Sequence, residues 1–150
     1  MIRLCIAIIS LITMSFVIAA PVKEVRSLQV IYKGAYDGDT IDIEYPQLPV
    51  PLNKMRVRIH GIDTPELSIR SRCPSESDIA ERAKDLLISS LPPVGSSITI
   101  FNFQWDKYGG RILGDVHTDD GKDIKDIMIL SGYAYNYNGE GLRKDWCSSK

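Results

Sequence analysis

Apolar and polar residues alternate from Leu28 through Val30 to Tyr32, the period-two pattern that predicts a strand with one buried face. Tyr36-Asp37-Gly38-Asp39 follows, turn chemistry in which the Asp-Gly pair is expected to supply the positive φ of a tight hairpin. Alternation resumes from Thr40 to Tyr45 and stops at Pro46, Pro49 and Pro51, a loop because proline cannot donate to a sheet ladder. It returns from Met55 to Ile62, with Val57 and Ile59 on one face and Arg56, Arg58 and His60 on the other.

After Asp63-Thr64-Pro65-Glu66 the period changes. Ile79, Ala83, Leu86 and Leu87 fall at helical spacing, with Ser75 or Ser77 as the expected N-cap and Leu91-Pro92-Pro93-Val94-Gly95 as the stop. Ile98, Ile100 and Phe103 mark a fourth strand region and Arg111 to Val116 a fifth, followed by an Asp119-Asp120-Gly121 turn. Ile124 to Leu130 reads as a short helix closed by Gly132, and Tyr133 to Tyr137 as extended or irregular chain. This order predicts an α+β, mainly β domain: a closed five-stranded barrel of the oligonucleotide/oligosaccharide-binding (OB) type, with two to three helices outside it.

The first residues do not fit that domain. Met1-Ile2-Arg3 is a short positive start, Leu4 to Ile18 is almost wholly apolar, and Ala19 and Ala20 precede Pro21. That is the layout of a secretory signal peptide, with cleavage expected after Ala19, so residues 1–19 are read as signal and residues 20–150 as the domain. The apolar run is short of the ~20 residues a spanning helix needs; an uncleaved run would act as a membrane anchor. Cleavage removes Cys5 and leaves Cys73 and Cys147, an even pair that an oxidising compartment is expected to join. No stable membrane association is expected after cleavage, and the exported (periplasmic or secreted) protein is expected to be a monomer.

Composition narrows the classes. At 44% hydrophobic and 25% charged residues the chain is ordinary globular protein, with length for one domain and a real core. A formal net charge of −1 excludes a generally polycationic coat protein, so any grip on a polyanion has to come from a local group of Arg and Lys. Candidate chemistry gathers in three clusters: Asp37-Gly38-Asp39-Thr40, Arg58 with Asp63-Thr64-Pro65-Glu66, and Asp106-Lys107-Tyr108-Gly109-Gly110-Arg111. Asp39 and Asp63, with the Thr64 carbonyl, are hard oxygen donors that suit Ca²⁺ or Mg²⁺. Two arginines can grip phosphate oxygens and stabilise charge at a pentacoordinate phosphorus, and a nearby Glu can orient or deprotonate water. Together these are the components of metal-assisted phosphodiester hydrolysis.

Tyr36-Asp37-Gly38-Asp39-Thr40, then Arg56-Val57-Arg58-Ile59-His60-Gly61-Ile62-Asp63-Thr64-Pro65-Glu66, then Asp106-Lys107-Tyr108-Gly109 resemble, in order, the staphylococcal nuclease (thermonuclease) family. The resemblance runs from about Val30 to Tyr137 and implies an OB barrel that cleaves DNA and RNA with Ca²⁺. By motif position it implies Asp39, Asp63 and the Thr64 carbonyl as Ca²⁺ ligands, Arg58 as a phosphate arginine and Glu66 as general base. Lys107, Tyr108 and Tyr137 occupy positions resembling those that contact substrate. One departure stands out: family members place Arg directly after Tyr-Gly, whereas here Gly110 intervenes before Arg111. A one-residue slip turns a strand side chain to the other face; a glycine bulge absorbs the extra residue and keeps Arg111 catalytic. The bulge is the expectation.

Arg56 is expected to cover the outer rim, and His60 and His117 to be surface or packing residues. Tyr133, Tyr135 and Tyr137 can be barrel packing as readily as stacking platforms. Two other classes compete with a nuclease: a non-catalytic OB module that binds single-stranded nucleic acid, and a partner-binding domain. The carboxylate pair argues against the binding module, because without metal it repels phosphate; a partner-binding domain predicts neither metal nor nucleotide affinity.

Overall fold

The computed structural model describes residues 26–148, so the expected signal segment, its cleavage point and Cys5 lie outside the described residues. Five strands, Ser27–Ala35 (β1), Thr40–Glu44 (β2), Lys54–Ile59 (β3), Ser97–Trp105 (β5) and Arg111–Val116 (β6), close into a barrel in the order β1-β2-β3-β6-β5. All neighbours are antiparallel except β3 and β6, which run parallel. Their inward residues, among them Tyr32, Ile41, Val57, Ile59, Ile100 and Val116, form one buried core. The fold is the mainly β, OB-type barrel the alternation predicts. Two helices flank it, Pro74–Ser90 (α1) and Ile124–Leu130 (α2), with a 3₁₀ turn at Ser68–Arg70. Ala83 and Leu87 of α1 and Ile124 and Met128 of α2 join the same core.

The alternation from Met55 to Ile62 is not one strand. β3 ends at Ile59, the chain turns at His60-Gly61, and Ile62–Asp63 (β4) leaves the barrel to pair with Tyr135–Asn136 (β7). That break keeps Ile62 and Asp63 buried while aiming Asp63 back across the end of β3.

Helix α1 also begins before the expected serine caps. Cys73 is its N-cap, without a side-chain cap bond, and Pro74 opens the helix, where a missing N–H costs nothing. From the first turn the buried Glu76 carboxylate reaches back to the amides of Arg72 (2.6 Å) and Glu66 (3.4 Å), tying the preceding loop to the helix start.

Cys73 and Cys147 are joined in a disulfide, with Cα atoms 6.0 Å apart and a sequence separation of 74. A loop that long implies up to about 4 kcal/mol of stabilisation in the chain-entropy model. Chemical denaturation with and without reductant should show a loss of that order at most. An unchanged midpoint would mean that the bond adds no stability.

Candidate active site

Strand ends bring the three sequence clusters to one mouth of the barrel. Thr40 pairs with Arg58 across β2 and β3, and the Ile59 amide donates to the Asp39 carbonyl at 2.8 Å, so Asp39 and Arg58 are neighbours by register. The two arms of the Arg58 guanidinium then bridge two carboxylates, Nη1 to Asp39 Oδ1 at 2.5 Å and Nη2 to Asp63 Oδ1 at 3.1 Å. The other Asp39 oxygen accepts from the Thr64 amide and hydroxyl, both at 3.1 Å. Asp39, Asp63 and Thr64 are each only 2% exposed.

Buried carboxylates this close repel one another, and a cation between them relieves that repulsion. Burial, with the Asp37 charge behind it, pushes the Asp39 carboxyl up to about 7 against the pull of Arg58. Burial likewise works against the Arg58 charge, yet Asp39 and Asp63 hold its pKa above the ordinary arginine value. The Arg58 guanidinium is thus a stand-in cation between two carboxylates. That pair, with the Thr64 carbonyl beside it, is the all-oxygen donor set a hard divalent ion prefers. The residues fit such an ion.

Asp37 shapes this corner without facing Arg58 directly, its Oδ1 accepting from the Asp39 amide at 3.2 Å. Gly38 does not have the positive φ that its Asp-Gly sequence predicts; its φ lies outside the left-handed region. What the position demands is space. A Cβ there would sit 2.9 Å from the Ala83 Cβ and 3.0 Å from Thr64 Oγ1. Gly38→Ala should therefore destabilise by about 1–3 kcal/mol through overpacking and push Thr64 off Asp39. Thermal melts and cation titration of that variant check it, and parental behaviour in both would contradict the packing argument.

Glu66 stands at the rim with both oxygens engaged, Oε1 by Arg143 Nη1 (2.6 Å) and Oε2 by Arg70 Nε (3.2 Å). Arg143 also reaches Asp63 Oδ2 (2.8 Å) and the Thr64 carbonyl (3.3 Å), and the Tyr135 hydroxyl donates to Asp63 Oδ2 at 3.1 Å.

Arg111 lies on the same outward face of the barrel as Arg58. The β3–β6 register sets Arg56 opposite Arg111 and Arg58 opposite Leu113, while Ile112 and Gly114 turn inward. The extra glycine is absorbed in the turn before β6 rather than as a bulge within it. Gly109 and Gly110 both take φ of 70°, a conformation that favours glycine, and the Asp106 amide donates to the Arg111 carbonyl beyond them. Arg111 Nε bonds Asp106 Oδ2. Burial works against the Asp106 charge, but Arg111 and the Tyr108 amide hold its carboxyl below the usual range.

Arg58, Asp63, Glu66, Arg111 and Arg143 line one open cleft of about 520 Å³, together with Lys107, Tyr108 and Tyr137. Lys107 donates to the Gly139 carbonyl at 2.8 Å, while Tyr108 stands 76% exposed. The Tyr137 amide donates to the Gly61 carbonyl at 2.9 Å. Arg56, as expected, lies on the rim, paired with Asp42 and stacked on Tyr36. His117 packs on Phe101, and His60, half-exposed, faces Asp115.

A profile of the family described as staphylococcal nuclease homologue matches residues 56–145. The chain belongs to the staphylococcal nuclease family. An uncharacterised endonuclease of Escherichia coli is 33% identical over 101 residues, which cover 67% of this chain and 56% of that protein. A probable staphylococcal-like nuclease of Oryza sativa subsp. japonica is 29% identical over 110 residues, 69% of this chain and 30% of its own. Endonuclease YhcR of Bacillus subtilis is 30% identical over 106 residues, 67% of this chain and 8% of its own. The chain thus spans about half the length of the Escherichia coli relative.

Sequence reading missed Arg70, Tyr135 and Arg143 as parts of this cluster. Arg143 lies 80 residues beyond Asp63, and only its nearness to Trp146 and Cys147, both able to anchor a tail, hinted that it would be held.

Proposed function

We propose that this protein is an exported, Ca²⁺-dependent nuclease that hydrolyses phosphodiester bonds of DNA, RNA or both. The observation that carries the reading is the convergence of Asp39 and Asp63 on the Arg58 guanidinium, at the floor of a cleft that also presents Glu66 and Arg111. A binding surface for a polyanion has no use for buried carboxylates at its centre; a hydrolytic site has. Export is supported by the signal-like start of the chain and by the Cys73–Cys147 bond.

Asp39, Asp63 and the Thr64 carbonyl would hold the cation, which when bound supplies charge neutralisation and Lewis acidity at the scissile phosphate. Glu66, in this reading, orients the attacking water and takes its proton. As the water oxygen bonds to phosphorus and the bond to the leaving oxygen breaks, negative charge grows on the non-bridging oxygens. Arg58 and Arg111 meet that charge with paired N–H donors. Lys107, Tyr108 and Tyr137 contact the strand around the cut, the rings offering stacking that tolerates any base.

The test is incubation of the purified protein with labelled single-stranded DNA, duplex DNA and RNA. Shortened products with Ca²⁺ are expected for at least one of these substrates. Retarded but intact nucleic acid would make the protein a binding module, and no interaction at all would make it neither.

A further inference from the structure

We propose that Trp105 stacks on an unpaired nucleobase of the substrate, beside the phosphate that Arg111 grips. The inference rests on the nucleic-acid substrate of the proposed function and adds a base-binding residue to it. Trp105 is the last residue of β5, one position before the turn from Asp106 to Arg111, and it pairs with Ile112, the residue after Arg111. The Asp106 amide donates to the Arg111 carbonyl at 3.2 Å, and the Asp106 carboxylate holds the Arg111 side chain. Those contacts fix the root of the indole relative to the guanidinium. Cross-strand neighbours stand about 5 Å apart, and a base is joined to its phosphate through a single sugar. A nucleotide whose phosphate meets Arg111 therefore has its base within reach of the Trp105 ring.

One exposed apolar side chain on a protein surface needs no ligand to explain it. Trp105 is 72% exposed, but it lines the cleft that also holds Arg58, Glu66 and Arg111. The strand pairing accounts for its exposure. β1 pairs with β5 only from Ser97 to Phe101, and a bulge follows, with Asn102 at a φ of 49°. Beyond the bulge the end of β5 is paired with β6 alone. Among the described residues no ring stack or cation–π contact involves Trp105; the nearest cation in sequence, Lys107, lies over Tyr108 at 5.2 Å. The other tryptophan of the chain, Trp146, is buried against Tyr135.

The groups around the ring select the occupant. Gln104, Lys107 and Arg111 line the same cleft, so an apolar partner seated on Trp105 would have to desolvate charged and amide groups without pairing them. A nucleotide satisfies both kinds of surface, with phosphate for the cations and a flat π-face for the indole. Every base has such a face, so the contact tolerates any sequence. Inside a duplex both faces of a base are covered by its neighbours, so the base that meets Trp105 has to come from an unpaired stretch.

The test compares the purified protein with its Trp105→Ala and Trp105→Phe variants against two labelled strands of equal length, an oligodeoxythymidylate and an abasic deoxyribose-phosphate oligomer. Stopped-flow tryptophan fluorescence and anisotropy of the label, both with Ca²⁺, read the binding phase before products form. The parent should be quenched by the oligodeoxythymidylate and bind it roughly ten- to hundredfold more tightly than the abasic strand. Trp105→Ala should weaken binding of the oligodeoxythymidylate by about fivefold or more, the scale of one lost base stack. Its affinity for the abasic strand should stay within about twofold of the parent's, because the grip on phosphate is untouched. Trp105→Phe keeps a ring and should fall between the two in affinity, but with only buried Trp146 left to report it should show no quench. Parental affinity of Trp105→Ala for the oligodeoxythymidylate, equal losses on both strands, or no quench in the parent would overturn the inference. A gel of the same mixtures decides the nuclease reading separately: a strand that is bound and quenches but stays intact fails that reading and leaves the stacking result standing.

Discussion

Asp39→Ala is expected to stop cleavage, with a fall of about a thousandfold or more, while the barrel still folds. The magnitude follows from the several kcal/mol a catalytic cation contributes, at 1.36 kcal/mol per factor of ten. Asp39 is central to the donor set: Arg58, Thr40 and both donors of Thr64 converge on its two oxygens. Truncation leaves the buried Thr64 amide without its acceptor, a cost of about 1–3 kcal/mol that an intact core and disulfide should withstand. Asp39→Asn separates charge from shape, because it keeps the volume and loses the anion. The parent is expected to rise in thermal midpoint when Ca²⁺ binds its folded state, and both variants should lose that rise. Parental turnover in Asp39→Ala at saturating Ca²⁺ would remove Asp39 from the mechanism.

Arg58→Ala and Arg111→Ala should each lower turnover by roughly a hundredfold or more, with modest change in substrate binding. Charge on the non-bridging oxygens is greatest in the transition state, so donors aimed at it act on kcat rather than on KM. The two arginines are held in the same way before substrate arrives: Arg58 by Asp39 and Asp63, Arg111 by Asp106, on one outward face of the β3–β6 pair. Each carboxylate keeps its guanidinium extended toward the cleft. Arg111→Lys should remain impaired, because a point charge cannot reproduce a paired N–H grip. If Arg111→Ala cuts as fast as the parent while Arg58→Ala is dead, the site works with one arginine and the register argument for Arg111 is wrong.

Much of this molecule was legible in the sequence because its determinants are local. Period-two alternation is a direct image of a half-buried strand, and β1, β2 and β3 carry it. The cluster Arg58, Asp63, Thr64 and Glu66 was legible because those residues lie within one turn of the chain. Two local signals were misread. Asp37-Gly38 has the composition of a positive-φ turn, but Gly38 is needed for the approach of Ala83 and Thr64, a contact across elements. The serines at the start of α1 are good caps by propensity, yet Cys73 takes the N-cap position and Pro74 sets the first turn. What stayed hidden was long-range: Tyr135 meets Asp63 across 72 residues and Arg143 meets Glu66 across 77. No periodicity marks such contacts, because they depend on the β4–β7 pairing and the docked C-terminal segment.

The most direct measurement is the initial rate of phosphodiester cleavage by the purified protein, followed in one reaction through addition of EDTA and then excess Ca²⁺. The account expects DNA or RNA to be cut with Ca²⁺, cutting to stop on chelation and to resume when Ca²⁺ is restored. Cleavage that continues unchanged in EDTA, or no cleavage of either polymer at any Ca²⁺ concentration, would contradict it.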